Sequence, residues 1–331
     1  MEPCNVSFAS IEGHDRLVGI LKRALVNNAL AHAYLFSGDQ GIGKKMTAFT
    51  LAAAVNCLDA GPGGGCSVCP SCRKTTLQGH PDVHLLVPDG DEIKIDQIRQ
   101  VQDQLALKPF EGTKKVLIVD GAESLNAVSS NAFLKTLEEP PGDVLIILVT
   151  AMPESLLATI RSRCQEIRFH RLPRHTLAHV LMKKRVLSEE DAWFLAALAQ
   201  GSMGRGLEMD IAQEKANRKE VIDLLSRIPS LGPGEVFACA ESFLKDRDRF
   251  ERLLTIGVEW LRDAVISRVT GDTNLLVNTR GGDWHRQCEE LPSLQRILVD
   301  MELFFTSRVL LDRRVSVQLV AENLFLKLGK R

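Results

Sequence analysis

The chain has 331 residues, of which 45% are hydrophobic and 25% charged, with a formal net charge of −1. That length suits roughly two domains, with three small ones possible, and gives ample apolar material for packed cores. The charge balance excludes a global basic field for nucleic acid, so any DNA contact is local or shared with partner chains. The longest apolar runs, such as Val144 to Val149, are far too short to span a bilayer. The start, Met1-Glu2-Pro3-Cys4, has neither the basic nor the apolar region of a secretory signal, so a cytoplasmic location is expected.

In chain order, Ala33 to Phe36 is a short apolar run ending at Ser37-Gly38, and a helix is expected to open after Gly43. Val83 to Val87 reads as a second strand. Ile93 to Ile95 alternates and stops at Asp96, a candidate N-cap for a helix in which Ile98, Val101 and Leu105 recur. Val116 to Val119 is a buried strand ending in Asp120, and a helix through Asn131 to Glu138 stops at Pro140-Pro141. Val144 to Val149 is another apolar strand, ending at Thr150, and Ile167 to Phe169 is a short final one. Apolar strands alternating with helices predict an α/β domain with a parallel sheet covered on both faces.

Near Leu172-Pro173 the pattern changes. Leu177, Val180 and Leu181 have helical spacing. Ser188 and Asp191 form a capping box before Trp193, Leu195 and Leu198, and Gly201 ends that helix. Another helix follows with Arg205 and Leu207. Roughly the last hundred residues read as all-helical, with stripes at i, i+3, i+4 spacing. These are Leu253, Leu254, Gly257, Trp260, Leu261, Ala264 and Val265; Leu294, Ile297, Leu298, Met301 and Phe305; and Val317, Val320, Leu324 and Leu328. Each stripe is read as core packing within a bundle, and Gly271 to Gly282 as a loop. There is no internal repeat, and the only low-complexity patch is Gly61-Pro62-Gly63-Gly64-Gly65.

Gly38-Asp39-Gln40-Gly41-Ile42-Gly43-Lys44-Lys45 is a phosphate-binding loop with its last position changed. The pattern G-x-x-x-x-G-K-[ST] uses backbone N–H groups and a lysine for phosphate, and a final hydroxyl for Mg²⁺. Lys45 stands where that hydroxyl belongs, and an ammonium has no lone pair for a cation. The loop follows a strand and precedes a helix, so Lys44 and the amides after Gly38 are candidate anion binders at a helix N-terminus. The plain alternative is a glycine-rich turn without a ligand. Thr47 does not replace the hydroxyl, being about 200° further around the helix. Lys114 to Asp120 reads as the acidic strand that would hold Mg²⁺ through water, or simply as a buried strand with an acidic turn. Gly121 follows where many such ATPases place a glutamate to polarise water, and Glu123 is not assumed to substitute. Lys45 and Gly121 thus depart on two separate duties and argue against turnover.

Eight cysteines in a reducing compartment point to metal ligands or buried thiols before disulfides. Cys57, Cys66, Cys69 and Cys72 lie on a short glycine-broken stretch that suits tetrahedral Zn²⁺ at a closed structural site. An iron–sulfur cluster is the rival, but no fourth cysteine follows the C-x2-C-x2-C core at the needed spacing. Unligated thiols are the remaining alternative, and nearby His80 and His84 are unnecessary. Ser162-Arg163-Cys164 alone is a weak signal, equally a surface arginine capping a helix.

Together the residues resemble the clamp-loader branch of AAA+ ATPases. The resemblance is carried by Ala31 to Gly38, the four-cysteine insert, and Asn131 to Pro141 (N-A-F-L-K-T-L-E-E-P-P). It continues through Ile160 to Cys164 (I-R-S-R-C), Gly201 to Arg205 (G-S-M-G-R) and, more weakly, Glu322 to Leu328. It spans almost the whole chain. It implies an AAA+ domain over 1–171 with a zinc module at about 57–72, a helical lid over 172–213, and an all-helical collar over 214–331. The collar would join a five-membered ring with motor and other loader subunits. The ring would load a sliding clamp onto primed DNA, with no membrane partner. The resemblance also implies roles for single residues. Arg163, within Ser162-Arg163-Cys164, is the arginine that reaches ATP on a neighbouring motor subunit. Arg205 is the lid arginine that senses nucleotide and Thr150 the sensor at a strand end, both vestigial if the site is inactive. The family's motor subunits have Thr or Ser after the loop lysine and an acidic pair after the strand. This chain departs at both, which fits a non-hydrolysing ring member and leaves ATP and Mg²⁺ binding open. Two rival readings stand beside it: a catalytic motor ATPase of the same loader, and a zinc-bearing DNA-binding repair module, to which Lys183-Lys184-Arg185 could contribute.

Overall fold

The computed structural model describes residues 6–61, 64–272, 275–277 and 293–329. In chain order these form α1 (Asp15–Val26), β1 (Ala33–Ser37), α2 (Lys44–Val55), α3 (Pro70–Thr76), β2 (Val83–Leu86), α4 (Ile95–Leu105) and β3 (Lys115–Asp120). Then come α5 (Ala127–Glu138), β4 (Val144–Thr150), α6 (Ala158–Arg161), β5 (Gln165–Arg168), α7 (Arg174–Arg185), α8 (Glu189–Leu198) and α9 (Met203–Glu208). The chain ends with α10 (Ile211–Arg227), α11 (Pro233–Glu241), α12 (Arg247–Thr270), α13 (Leu294–Asp312) and α14 (Val317–Gly329). Two compact units emerge: 1–184 with 199–207, and 185–198 with 208–331.

The first unit holds a five-stranded sheet in the order β2-β3-β4-β1-β5, with every pair parallel. The continuous apolar strands have the expected cause. Alternate residues enter opposite cores, because successive side chains leave a strand on opposite faces. Val116 and Ile118 join Tyr34, Phe36 and the α1 and α2 residues Leu21 and Leu51. Leu117 and Val119 join Leu35 and the α4, α5 and α6 residues Ile98, Phe133 and Ile160. The register aligns Ser37 with Thr150 and Asp120 with Val149, so β1, β3 and β4 end together at the carboxyl edge of the sheet. In parallel α/β sheets that edge is where ligands bind.

The second unit is helical. Phe243, Phe250 and Phe325 meet edge-on in its core, with ring centroids 5.5 to 6.4 Å apart. Gly257 lets α12 and α13 approach: a Cβ there would lie 2.3 Å from the Phe304 ring. Arg218 and Glu259 form an ion pair largely out of solvent.

Two expectations change. Asp96 is not an N-cap, since α4 begins at Ile95 after Lys94, whose N–H donates to Gln97 Oε1 at 2.9 Å. The reach-back of Gln97 sets the start two residues earlier and leaves Asp96 in the first turn, where the helix dipole favours it. On α13 the stripe is not all core: Ile297 is buried, but Leu294, Leu298 and Phe305 are 38%, 52% and 53% exposed. Helical periodicity finds an apolar face but not what covers it. Gly271 caps α12 in the left-handed region with φ 65°. Most of the expected 271–282 loop lies outside the described residues.

Candidate functional site

The loop between β1 and α2 is built on glycines at positive φ: Gly38 at 136°, Gly41 at 75° and Gly43 at 99°. The backbone amides of Gly41 to Lys45 donate to no acceptor among the described residues, as an anion cradle at a helix start requires. Lys44 is 6% exposed and folds back over the loop, donating to Gly38 O at 2.5 Å and Asp39 O at 2.6 Å. Burial pulls its pKa down, while Glu123, Asp120 and Asp39 nearby oppose that shift.

Lys45 has an unexpected partner. Its Nζ lies 3.0 Å from Asp120 Oδ2, the carboxylate at the end of β3. The residue that stands in place of the expected hydroxyl therefore also pairs with the carboxylate expected to face a metal. A divalent cation at Asp120 would have to displace this ammonium and tolerate it alongside. The Thr47 hydroxyl donates to Gly43 O at 2.9 Å within its own helix, so it does not take the missing role. Gly121 adopts φ 78°, and a Cβ there would meet Pro88 at 3.3 Å. Glu123 Oε1 accepts from Ala151 N at 3.3 Å, and its Oε2 is buried without a hydrogen-bond partner. Thr150 is buried, and its Oγ1 accepts from Met152 N at 3.0 Å.

The loop is also closed from above. Gly204 N donates to Gly41 O at 2.8 Å, and Ser202 Oγ donates to Gln40 O at 3.1 Å. The fit is tight, since a Cβ on Gly41 would fall 2.4 Å from Ser202 Oγ. On the opposite side His14 Nε2–H donates to Ile42 O at 2.9 Å, and burial lowers the His14 pKa. The cavity between His14, Ile42, Met46 and Met203 is about 30 Å³, and a second of about 500 Å³ lies beside Gly38, Asp39, Arg168 and Arg171. Arg205 sits on α9 with an exposed side chain. Beside the loop, Arg171 Nε donates to Asp39 Oδ2 at 2.5 Å and keeps that carboxyl below the usual range.

Arg163 lies elsewhere. It precedes β5, whose Gln165 is in register with Tyr34, whereas the loop follows the far end of β1. Gly38 is level with Phe169, so roughly 13 Å of strand lies between the start of β5, beside Arg163, and the cradle. Its Nη2 contacts Glu138 Oε1 at 2.7 Å, and its Nη1 donates to Thr159 O at 3.0 Å. Ser162 Oγ donates to the same carbonyl at 3.1 Å. Cys164 packs against the core under α5, and burial pushes its thiol up to about 12.

The four insert cysteines converge. All four sulfurs lie within 4.8 Å of one another, close to the roughly 3.8 Å that 2.3 Å bonds to a tetrahedral zinc would set. Cys66 N donates to Cys57 Sγ, Cys69 N to Cys66 Sγ and Cys72 N to Cys69 Sγ at 3.3 to 3.4 Å. Burial opposes ionisation of Cys69, but N–H bonds from Cys72 and Leu58 and the adjacent thiols bring its pKa down to about 6. Burial raises that of Cys72. A donor set of four thiols with N–H groups on the sulfurs fits Zn²⁺ well. His80 is committed elsewhere, with Nε2 3.0 Å from Ser71 Oγ, and is not needed as a ligand.

Sequence reading missed His14, Glu138, Ser202 and Gly204. Ser202 and Gly204 were visible only as part of the G-S-M-G-R match. Nothing local in the sequence links them to a loop 160 residues earlier.

Comparison with known proteins gives a consistent result. A family model described as DNA polymerase III, delta subunit, matches residues 13–173. The DNA polymerase III subunit delta' of Bacillus subtilis is 30% identical over 265 residues, which is 79% of this chain and 80% of that protein. The tau/gamma subunit of Haemophilus influenzae is 34% identical over 234 residues, 68% of this chain but only 33% of its own length. Among solved structures, a DNA polymerase III gamma subunit-related protein from Thermotoga maritima aligns over 95% of this chain and 99% of its own. That match has 18% identity and a TM-score of 0.40.

Proposed function

Because this chain belongs to the delta-prime family of DNA polymerase III clamp-loader subunits, we propose that it is a non-hydrolysing ring member that completes a neighbour's ATP site. Arg163 would act in trans on the γ-phosphate of ATP held by an adjacent gamma/tau motor subunit. The observation that carries this reading is the position of Arg163, a strand length from its own cradle and at the opposite edge of the sheet. An arginine there has no phosphate to serve in its own chain, while its planar fork remains one-third exposed. The Lys45–Asp120 pair and the closed loop support the absence of hydrolysis in cis.

In this reading residues 1–171, 172–213 and 214–331 act as AAA+ domain, lid and collar. The collar joins gamma/tau and delta subunits in a heteropentamer that loads the sliding clamp onto primed DNA. The exposed Leu298, Phe305 and Val309 along α13 are the kind of surface a ring contact needs. Thr150 and Arg205 keep their sensor positions without a nucleotide to read. Cys57, Cys66, Cys69 and Cys72 would hold one structural Zn²⁺, whose role is to fix the insert and not to react. Atomic absorption should find one zinc per chain, and chelation should lower the thermal midpoint; iron in its place, or unchanged stability, would refute the assignment.

The decisive experiment is reconstitution with motor subunits. Arg163→Ala should reduce ATP turnover of the assembly by on the order of 10³, with the variant still folded and incorporated. Turnover equal to wild type would show Arg163 to be a surface residue only.

A further inference from the structure

We infer that Glu138 is a positioning residue for Arg163: it holds the guanidinium in the orientation in which the arginine is presented to a neighbouring phosphate. The inference rests on the trans-arginine reading above and adds a second residue to it.

Glu138 is the last residue of α5. A carboxylate at a helix C-terminus faces the negative end of the helix dipole, so helix stability does not account for it. Its contact does: Oε1 lies 2.7 Å from Arg163 Nη2. The other terminal nitrogen, Nη1, donates to Thr159 O at 3.0 Å and lies 3.4 Å from Ser162 Oγ. Holding both terminal nitrogens fixes the plane of the guanidinium, which a single contact would leave free to rotate. An arginine so held has less side-chain freedom to lose when it meets an anion.

The post that carries Glu138 is itself rigid. Asn126 caps the start of α5 through bonds from Val128 N and Ser129 N. Phe133 and Leu137 are buried in the core on that face of the sheet. His32 Nε2–H donates to Leu137 O at 3.2 Å, tying the last turn to the entry of β1. Pro140 and Pro141 follow and stop the helix there. The carboxylate therefore stands on an element fixed to the sheet, with Arg163 on the turn that enters β5.

The test uses the reconstituted loader with ATP as substrate. Glu138→Ala should lower kcat about tenfold and leave KM for ATP and ring assembly unchanged. Glu138→Gln keeps an acceptor oxygen and should recover most of the loss. Glu138→Asp keeps the charge but withdraws it by one methylene, and should lose turnover in the direction of Ala. It also provides the comparison should Glu138→Ala incorporate poorly. In an Arg163→Ala background, Glu138→Ala should add nothing, because its effect passes through the arginine. Wild-type turnover in both Glu138→Ala and Glu138→Asp would overturn the inference. So would an equal further loss in the Arg163→Ala background. If Arg163→Ala itself leaves turnover unchanged, the trans-arginine reading fails; a loss with Arg163→Ala but none with the Glu138 variants removes only the positioning role.

Discussion

The two edges of the sheet treat their charged groups in opposite ways. At the carboxyl edge every charged side chain of the loop is satisfied from within. Lys44 bonds to loop carbonyls, Lys45 to Asp120 and Asp39 to Arg171. At the amino edge Arg163 is steadied by Glu138 and Thr159 but keeps an open face. At the first edge the fold keeps a glycine loop at a helix start and closes it with its own atoms. At the second it leaves Arg163 about one-third exposed, as the proposed role in trans requires. A parallel sheet makes this division possible, because the start and the end of adjacent strands lie a strand length apart.

The largest expected effect separates the edges directly. Replacing the loop lysine of a working ATPase removes phosphate contacts and stops turnover. Here Lys44→Ala should leave turnover of the reconstituted loader within about twofold of wild type, beside a loss near 10³ for Arg163→Ala. Steady-state ATPase of the assembly reads both. Equal losses at the two positions would erase the comparison and make the carboxyl edge a live nucleotide site.

A smaller effect tests whether closure of the loop is structural. Gly41→Ala forces a side chain into φ 75° and onto Ser202 Oγ. The expected cost is about 1–3 kcal/mol, seen as a fall of several degrees in thermal midpoint with loader turnover kept. Gly43→Ala meets no atom within 4 Å despite its φ of 99°, so it should cost less. Equal costs at the two sites would mean that backbone strain alone is measured and that the Ser202 contact adds nothing.

These contrasts show where sequence reading reached and where it stopped. Apolar strands, glycines and cysteines at metal spacing are local patterns, and the sheet, the loop and the thiol cluster followed from them. Lys45 and Gly121 were visible as departures from a pattern. The pairing of Lys45 with Asp120 was not, since it depends on β1 and β3 ending level with each other on either side of β4. Glu138 and Arg163 meet for the same reason, through the parallel return of β4 and β5. The α13 stripe failed differently: the period was right, but a period does not say whether the covering surface belongs to the same chain.

The smallest effect concerns His14, the side chain under the closed loop. Burial lowers its pKa in the folded protein below the ordinary 6.5. Above about pH 6.5 the ring is neutral in both folded and unfolded chains, and its contribution to stability is fully present. As pH falls through 6.5 the unfolded chain takes up the proton first, and that contribution is lost. His80 and His84 are lowered by burial in the same way, and acid also protonates the cysteine cluster, so the raw pH dependence is shared. The difference between wild type and His14→Gln isolates one ring, because the other groups are common to both. Thermal midpoints measured from pH 7.5 to 5.5 should fall more steeply in wild type, by about 1–2 °C over the range. Parallel curves would mean that the loop accepts a charged His14 without cost, and that its closure comes from the Ser202 and Gly204 side alone.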